Sequence, residues 1–430
     1  MIYHLFQYLE SLGIDFPGIG LMHYLSFRAI LAAVTAVLTA LMAGKRIIRW
    51  LQGRQIGETV RDLGLADQIQ KKGTPTMGGI IIILSIMTGV LLFCDLTNIY
   101  VLLLIVSTLW CGALGFTDDY IKVFKHRKEG MSEKAKLVGQ VALGFVIGLT
   151  VWMSPDIVVR EKVEVKESIE RTLETETTVT SGRYVQEDVV KSTKTTIPFV
   201  KNHEFDYRWL SPVKGAWGWY AKWAIYVLMI VLVITACSNG TNLTDGLDGL
   251  AAGTSAVVGV VLGVLAWLGG NLIDSNYLNI MYIPGSGEIA IFMSAFVGAL
   301  IGFLWYNSFP AQVFMGDTGS LTIGGVIGVS AVLMRKELLL PLLCGIFFVE
   351  SLSVLLQRFY FKMTRKKTGV GHRIWSMTPL HHHYQDKKAP EGPVIFPKPV
   401  PAQHEAKITV RFWIVGIILA VSTLALLKIR

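Results

Sequence analysis

Apolar runs near the roughly 20 residues that an α-helix needs to cross a bilayer recur along the whole chain. We place ten of them, at about 24–44, 77–94, 98–118, 137–154, 218–237, 250–269, 289–306, 319–335, 338–360 and 410–427. Composition agrees: 52% of the 430 residues are hydrophobic and 17% charged, with a mean hydropathy of +0.51. That is far more apolar than a soluble globular domain of this length. The expected fold class is an all-α polytopic membrane protein of about ten transmembrane helices, one integral membrane domain over 1–430. The first run has neither a basic flank nor a small-residue cleavage site, so it reads as a retained anchor rather than a signal peptide.

The formal charge of +9, from 40 Lys and Arg against 31 Asp and Glu, does not imply nucleic acid as a partner. In a membrane protein the sidedness of basic residues says more than their sum. With the N-terminus outside, segments 45–76, 119–136, 238–249, 307–318 and 361–409 share one face and hold 22 Lys and Arg. The opposite short loops hold two, Arg335 and Lys336. By the positive-inside rule the first face is cytoplasmic; ten basic residues in segment 155–217 count for little, because long loops translocate regardless of charge. Cys94, Cys111, Cys237 and Cys344 stand singly in or beside apolar segments and read as packing residues.

Segment 155–212 differs in kind. It is rich in Val, Thr and Glu with alternating polarity, and Ser181 and Gly182 sit midway between two Thr/Val runs, the pattern of an extracytoplasmic β-hairpin. A solvated insertion without chemistry is its simplest reading, and a partner-docking element the alternative. The last cytoplasmic loop, 361–409, has five prolines between Pro390 and Pro401 and cannot be one helix.

Five polar motifs interrupt this background. GFTDDYIKV sets Asp118 and Asp119 at the end of the third run. There a carboxylate in lipid costs roughly 3 kcal/mol, and a helix C-terminal dipole disfavours negative charge further. Lys122, or a divalent metal suited to hard oxygen ligands, is the expected compensation. SNGTNLTDGLDGLAAG spaces Asn242, Asp245 and Asp248 by three, so a helical turn puts them on one face, and its glycines let a ligand approach the backbone. WYNSFPAQVFMGDTGSLTIGG opens span eight with a helix start whose free N–H groups suit phosphate, although Asp317 repels one unless a metal lies between. MTPLHHHYQ offers His381, His382 and His383 as metal ligands or phosphate donors, with Lys366, Lys367 and Arg373 nearby. KKGTPTMGG offers Lys71 or Lys72 to a phosphate, or to lipid headgroups by snorkelling.

Each motif alone also has a plainer reading as a cap, a turn or surface residues. All five fall in loops that the charge rule assigns to the cytoplasmic face, which argues for one shared site. Carboxylates, lysines and a phosphate-suited helix start at a lipid boundary describe phosphoryl chemistry on a membrane-borne substrate, with Mg²⁺ neutralising a diphosphate leaving group.

GTPTMGG, GFTDDY, NLTDGLDGLA, FMGDTGSLTIGG and MTPLHHHY together resemble the phospho-N-acetylmuramoyl-pentapeptide-transferases, over nearly all spans and cytoplasmic loops. The resemblance implies a ten-helix fold and a homodimer in the bacterial cytoplasmic (inner) membrane, with the active site on its cytoplasmic face. It also implies transfer of phospho-MurNAc-pentapeptide from UDP-MurNAc-pentapeptide to undecaprenyl phosphate, giving lipid I and UMP, with Mg²⁺ required. Carried over motif by motif, it makes Asp317 the Mg²⁺ ligand and Asp118 the base that activates the lipid phosphate, with Asp119 beside it. Lys71, Asn242, Asp245, Asp248, Asn307, Phe314 and Gly316 fall in the substrate site. His381, with a catalytic part, and His382 fall by the diphosphate; His383 is a substrate-binding residue, and Lys122 and Lys136 are charge partners. The hairpin segment is longer than that family's usual loop. A related polyprenyl-phosphate GlcNAc-1-phosphate transferase shares the aspartates, but HHHY and GTPTMGG argue against it. A membrane transporter needs polar residues deep in the spans, whereas these carboxylates gather at one boundary.

Overall fold

The protein is seen in a computed structural model that describes residues 1–14, 18–54, 73–125, 127, 129–164, 184–198, 204–213, 215–278, 280–385, 392–397 and 401–427. The first half contains α1 (Ile2–Ser11), α2 (Leu25–Gly53), α3 (Gly79–Phe93), α4 (Ile99–Phe124) and α5 (Glu133–Met153). The second contains α6 (Ala216–Thr244), α7 (Leu250–Gly270), α8 (Leu272–Tyr277), α9 (Gly287–Asn307), α10 (Gly316–Leu333), α11 (Leu340–Leu343), α12 (Gly345–Thr368), α13 (Leu380–Gln385) and α14 (Glu405–Leu426).

Eight of these helices, α2, α4, α5, α6, α7, α9, α10 and α14, are long and apolar enough to cross a bilayer unaided. Two expected spans take another form. The run at 77–94 is helical only over the 15 residues of α3, about 22 Å at 1.5 Å per residue, against a hydrocarbon core of about 30 Å. Ahead of it the chain is irregular, with Met77 at φ +72°, and is paired with the loop before α10. Phe314 N donates to Pro75 O at 2.8 Å, Gly78 N to Phe314 O at 2.8 Å and Gly79 N to Met315 O at 2.9 Å. Irregular backbone is tolerated inside a membrane protein only where such partners satisfy it. The run at 338–360 is not one straight helix, because Glu337–Leu343 and Gly345–Thr368 meet at a 78° bend.

The centre of the bundle is α10, in which every residue from Asp317 to Leu333 is buried and which packs against α3, α4, α6 and α7. Lipid tails are as apolar as leucine, so helices in a membrane gain most from close backbone approach at small residues. A Cβ on Gly115 of α4 would lie 2.1 Å from Asp317 O, one on Gly79 of α3 2.1 Å from Gly319 N, and one on Gly324 2.3 Å from Cys237 O of α6. Three helices are thereby seated on α10 at backbone distance. All four cysteines are free and buried, as packing residues should be.

The insertion pairs as its alternation predicts. β1 (Val159–Glu164) runs antiparallel to β2 (Tyr184–Val190), and β3 (Lys194–Thr196) to β4 (Glu204–Asp206); the expected turn at Ser181 and Gly182 lies outside the described residues. It is tied down at the end of the bundle remote from Asp317. Thr196 N donates to Arg335 O and Arg160 N to Tyr282 O, each at 3.0 Å, and Tyr207 OH donates to Glu337 Oε1 at 3.1 Å. In the proline-bearing loop, β5 (Arg373–Trp375) and β6 (Val394–Phe396) form a short parallel pair.

Candidate active site

The aspartate pair does not end its helix. α4 continues to Phe124, so Asp118 and Asp119 lie within it, 0% and 2% exposed. A helix dipole acts over its last turn, where Lys122 sits; the charge of Asp118 is met by lysines instead. Asp118 Oδ2 is 2.6 Å from Lys122 Nζ, and its Oδ1 is 2.9 Å from Lys136 Nζ of α5 and accepts from Met131 N at 2.7 Å. Both lysines also reach Asp317: Lys136 Nζ is 2.5 Å from Oδ2, and Lys122 Nζ 3.3 Å from Oδ1. From the last turn of α6, Asn242 Nδ2 donates to Asp317 Oδ1 at 3.0 Å and to Ser320 Oγ at 2.9 Å.

Asp119 does something the sequence did not foretell. It accepts from Asp317 N at 3.1 Å, from Thr318 N at 2.9 Å and from Thr318 Oγ1 at 2.6 Å. A carboxylate of α4 therefore caps α10 from outside, and two of the N–H groups that the GDTGS start was expected to offer a phosphate, those of Asp317 and Thr318, are engaged by it. Gly316 makes room for this cap. Its φ is +70°, and a Cβ there would lie 2.6 Å from Asp119 Oδ2. Asp119→Asn leaves one acceptor oxygen and no charge for three donors. It is expected to destabilise the protein by about 2 kcal/mol, read as a lower thermal midpoint of the detergent-solubilised chain; an unchanged midpoint would show that the cap is dispensable.

Oxygens of Asp118, Asp119 and Asp317 all lie within 4.8 Å of one another, the one such group of three among the described residues. Among the described residues three carboxylates face two ammonium groups here, a formally negative balance, and hard oxygen donors of this kind fit a divalent cation.

Asn242, Asp245 and Asp248 do not share a helical face, because α6 ends at Thr244 and Asp245 is its C-cap. Asp248 belongs to the following loop. Its Oδ2 accepts from Ala311 N at 3.0 Å, and its own N donates to Glu405 Oε1 of α14 at 2.7 Å. Buried Asn307 accepts from Gly249 N at 3.1 Å and donates to Val313 O at 2.9 Å. Asp248 and Asn307 thus fasten the α6–α7 loop to the α9–α10 loop, and the backbone of Phe314 fastens the latter to residues 75–78. The histidine motif reaches the same loop, since a Cβ on Gly246 would lie 2.1 Å from His381 Nε2. His381 and His383 are buried; His382 is half-buried, its Nδ1 3.2 Å from Gln385 Oε1. Lys71 lies outside the described residues.

Four of the five motifs are therefore joined by direct contact, and the Gly-Thr-Pro-Thr turn of the fifth is paired with one of them. Sequence reasoning missed Glu350 and Glu405, both wholly buried. The signal for Glu350 was present: it is a lone carboxylate inside an apolar run, the same anomaly that singled out Asp118.

Residues 190–335 match the family described as Glycosyl transferase family 4, and residues 71–83 match Phospho-N-acetylmuramoyl-pentapeptide-transferase signature 1. The chain is 54% identical over 430 residues to the phospho-N-acetylmuramoyl-pentapeptide-transferase of Parabacteroides distasonis, 53% over 432 to that of Porphyromonas gingivalis and 52% over 430 to that of Flavobacterium psychrophilum. Each match covers the whole of both chains. The hairpin insertion is thus matched along with the motif loops, and likeness of that extent shows that the chain belongs to the phospho-N-acetylmuramoyl-pentapeptide-transferase family.

Proposed function

We propose that this chain transfers phospho-MurNAc-pentapeptide from UDP-MurNAc-pentapeptide to undecaprenyl phosphate, forming lipid I and UMP in the first membrane step of peptidoglycan synthesis. The observation that carries the reading is the end-to-end identity with transferases of that name, 54% in the relative from Parabacteroides distasonis. The buried carboxylate cluster at one end of a multi-pass bundle supports it. In this reading the site faces the cytoplasm across a bacterial inner membrane, and the protein is a homodimer there.

Asp317 is the residue that holds Mg²⁺. When bound, the ion neutralises diphosphate charge and stabilises the departing UMP. Asp118 takes the proton from the lipid phosphate; that oxygen bonds to the sugar-bearing phosphorus as the bond to the UMP oxygen breaks. Lys122 and Lys136 hold Asp118 and Asp317 at fixed separation and offset their charge. Asn242, Asp245, Asp248, Asn307, Phe314, Gly316 and Lys71 form the nucleotide side, with Asp248 and Asn307 acting through the loops they fasten. His381 and His382 form the diphosphate side, and His383 is a further substrate-binding residue.

The test is UMP release by purified protein supplied with undecaprenyl phosphate and either UDP-MurNAc-pentapeptide or UDP-GlcNAc, with and without Mg²⁺. Release only from the muramoyl nucleotide, lost on chelation and restored by Mg²⁺, is expected. Release from UDP-GlcNAc instead would assign the chain to the related hexosamine transferases, and none from either would overturn transfer altogether. Asp118→Asn is expected to lose about a hundredfold or more in turnover while still binding UDP-MurNAc-pentapeptide. A phosphosugar trapped covalently on the wild-type protein would replace direct attack by a two-step route.

A further inference from the structure

Glu350 lies in α12, just past the 78° bend. It is 0% exposed, within the apolar stretch GIFFVESLSVLL, where an ionised carboxylate is costly unless hydrogen-bonded. Its hydrogen-bond donors come from the start of α13. Oε2 accepts from Leu380 N at 2.5 Å, Oε1 accepts from His381 N at 3.1 Å, and His381 Nδ1 stands 3.3 Å from Oε1. α13 has six residues, too few to form a stable helix without tertiary support, so this carboxylate both starts it and sets its height on α12. The far edge of the same ring rests on Gly246, where a Cβ would lie 2.1 Å from Nε2, and the ring of His382 packs beside it at 4.2 Å. The imidazole is held from both edges. The Nε2 edge is directed at Gly246 of the α6–α7 loop, four residues beyond the Asn242 that holds Asp317.

We propose that Glu350 is a positioning residue for the transfer reaction: by gripping the backbone N–H groups of Leu380 and His381 it sets the place of the His381 ring against the α6–α7 loop. The inference rests on the transferase reading given above. Its test is UMP release from UDP-MurNAc-pentapeptide by full-length wild-type, Glu350→Gln, His381→Asn and the double variant, with thermal midpoints alongside. Glu350→Gln is expected to lower kcat about tenfold with KM within about twofold, and to cost less than about twofold more when added to His381→Asn, because it acts through that ring. Losses that multiply in the double variant, or a KM and midpoint that move with kcat, would mark Glu350 as structural only and overturn the proposal. Wild-type release with Glu350→Gln fully active overturns this inference alone, whereas no release from wild type overturns the transferase reading and this inference with it.

Discussion

Asp317→Asn should abolish transfer, with UMP release falling by about a thousandfold. Asp317 is 9% exposed and is the one carboxylate of the cluster that touches both lysines and Asn242. An amide in its place presents one oxygen, carries no charge for a divalent cation and turns an N–H₂ toward an ammonium group. The fold should survive, because the cap on α10 binds the backbone N–H of residue 317 rather than its side chain. Activity across a range of Mg²⁺ concentrations, with a thermal midpoint as the control, separates the two effects. Activity within tenfold of wild type would remove Asp317 from the chemistry.

The second large effect is expected from a methyl group. A Cβ on Gly115 would lie 2.1 Å from Asp317 O, 2.4 Å from Asp317 C and 2.6 Å from Thr318 Cα. These are backbone atoms with no rotamer to yield, so Gly115→Ala must push α4 away from α10. Residues 115, 118 and 119 share one face of α4, and the carboxylates move with the displaced helix. A shift of about 1 Å in such groups costs roughly a hundredfold in rate, and overpacking adds about 1–3 kcal/mol of destabilisation. Gly263→Ala is the control, because there the nearest atom is Met293 Cβ at 3.5 Å. Gly115→Ala with full activity would show that the helix crossing tolerates a spread the geometry forbids.

The span pattern was legible because hydrocarbon thickness imposes a length on apolar runs that nothing else in a sequence mimics. It failed where a span is not one straight apolar helix. Residues 75–78 satisfy their backbone by pairing with 314 and 315, a partnership hydropathy cannot register, and the bend at Cys344 breaks no apolar run. Hydropathy also ended α4 too early, since a helix continues through charged residues when their side chains point at the bundle interior, as Asp118 and Asp119 do against Lys136 and Thr318. The shared face of the motif loops was readable from basic-residue asymmetry. The division of labour inside the site was not, because side by side in sequence the two aspartates look alike. Only the start of α10, nearly 200 residues on, makes one a partner of lysines and the other a helix cap.

The buried contact between Asp248 N and Glu405 Oε1 bears on the order in which the chain can become active. A nascent polypeptide enters the membrane from its N-terminus, and its early helices can pack while later ones are still being made. The α6–α7 loop is fastened from α14, and the ring of His381 closes on Gly246 of that loop only after α13 has emerged. The carboxylates of α4 and α10 can meet before then, but the wall opposite them is completed only once α14 is in place. From the completion of α10 at Leu333 until α14 is made, the chain therefore holds a formed acidic cluster and an open site.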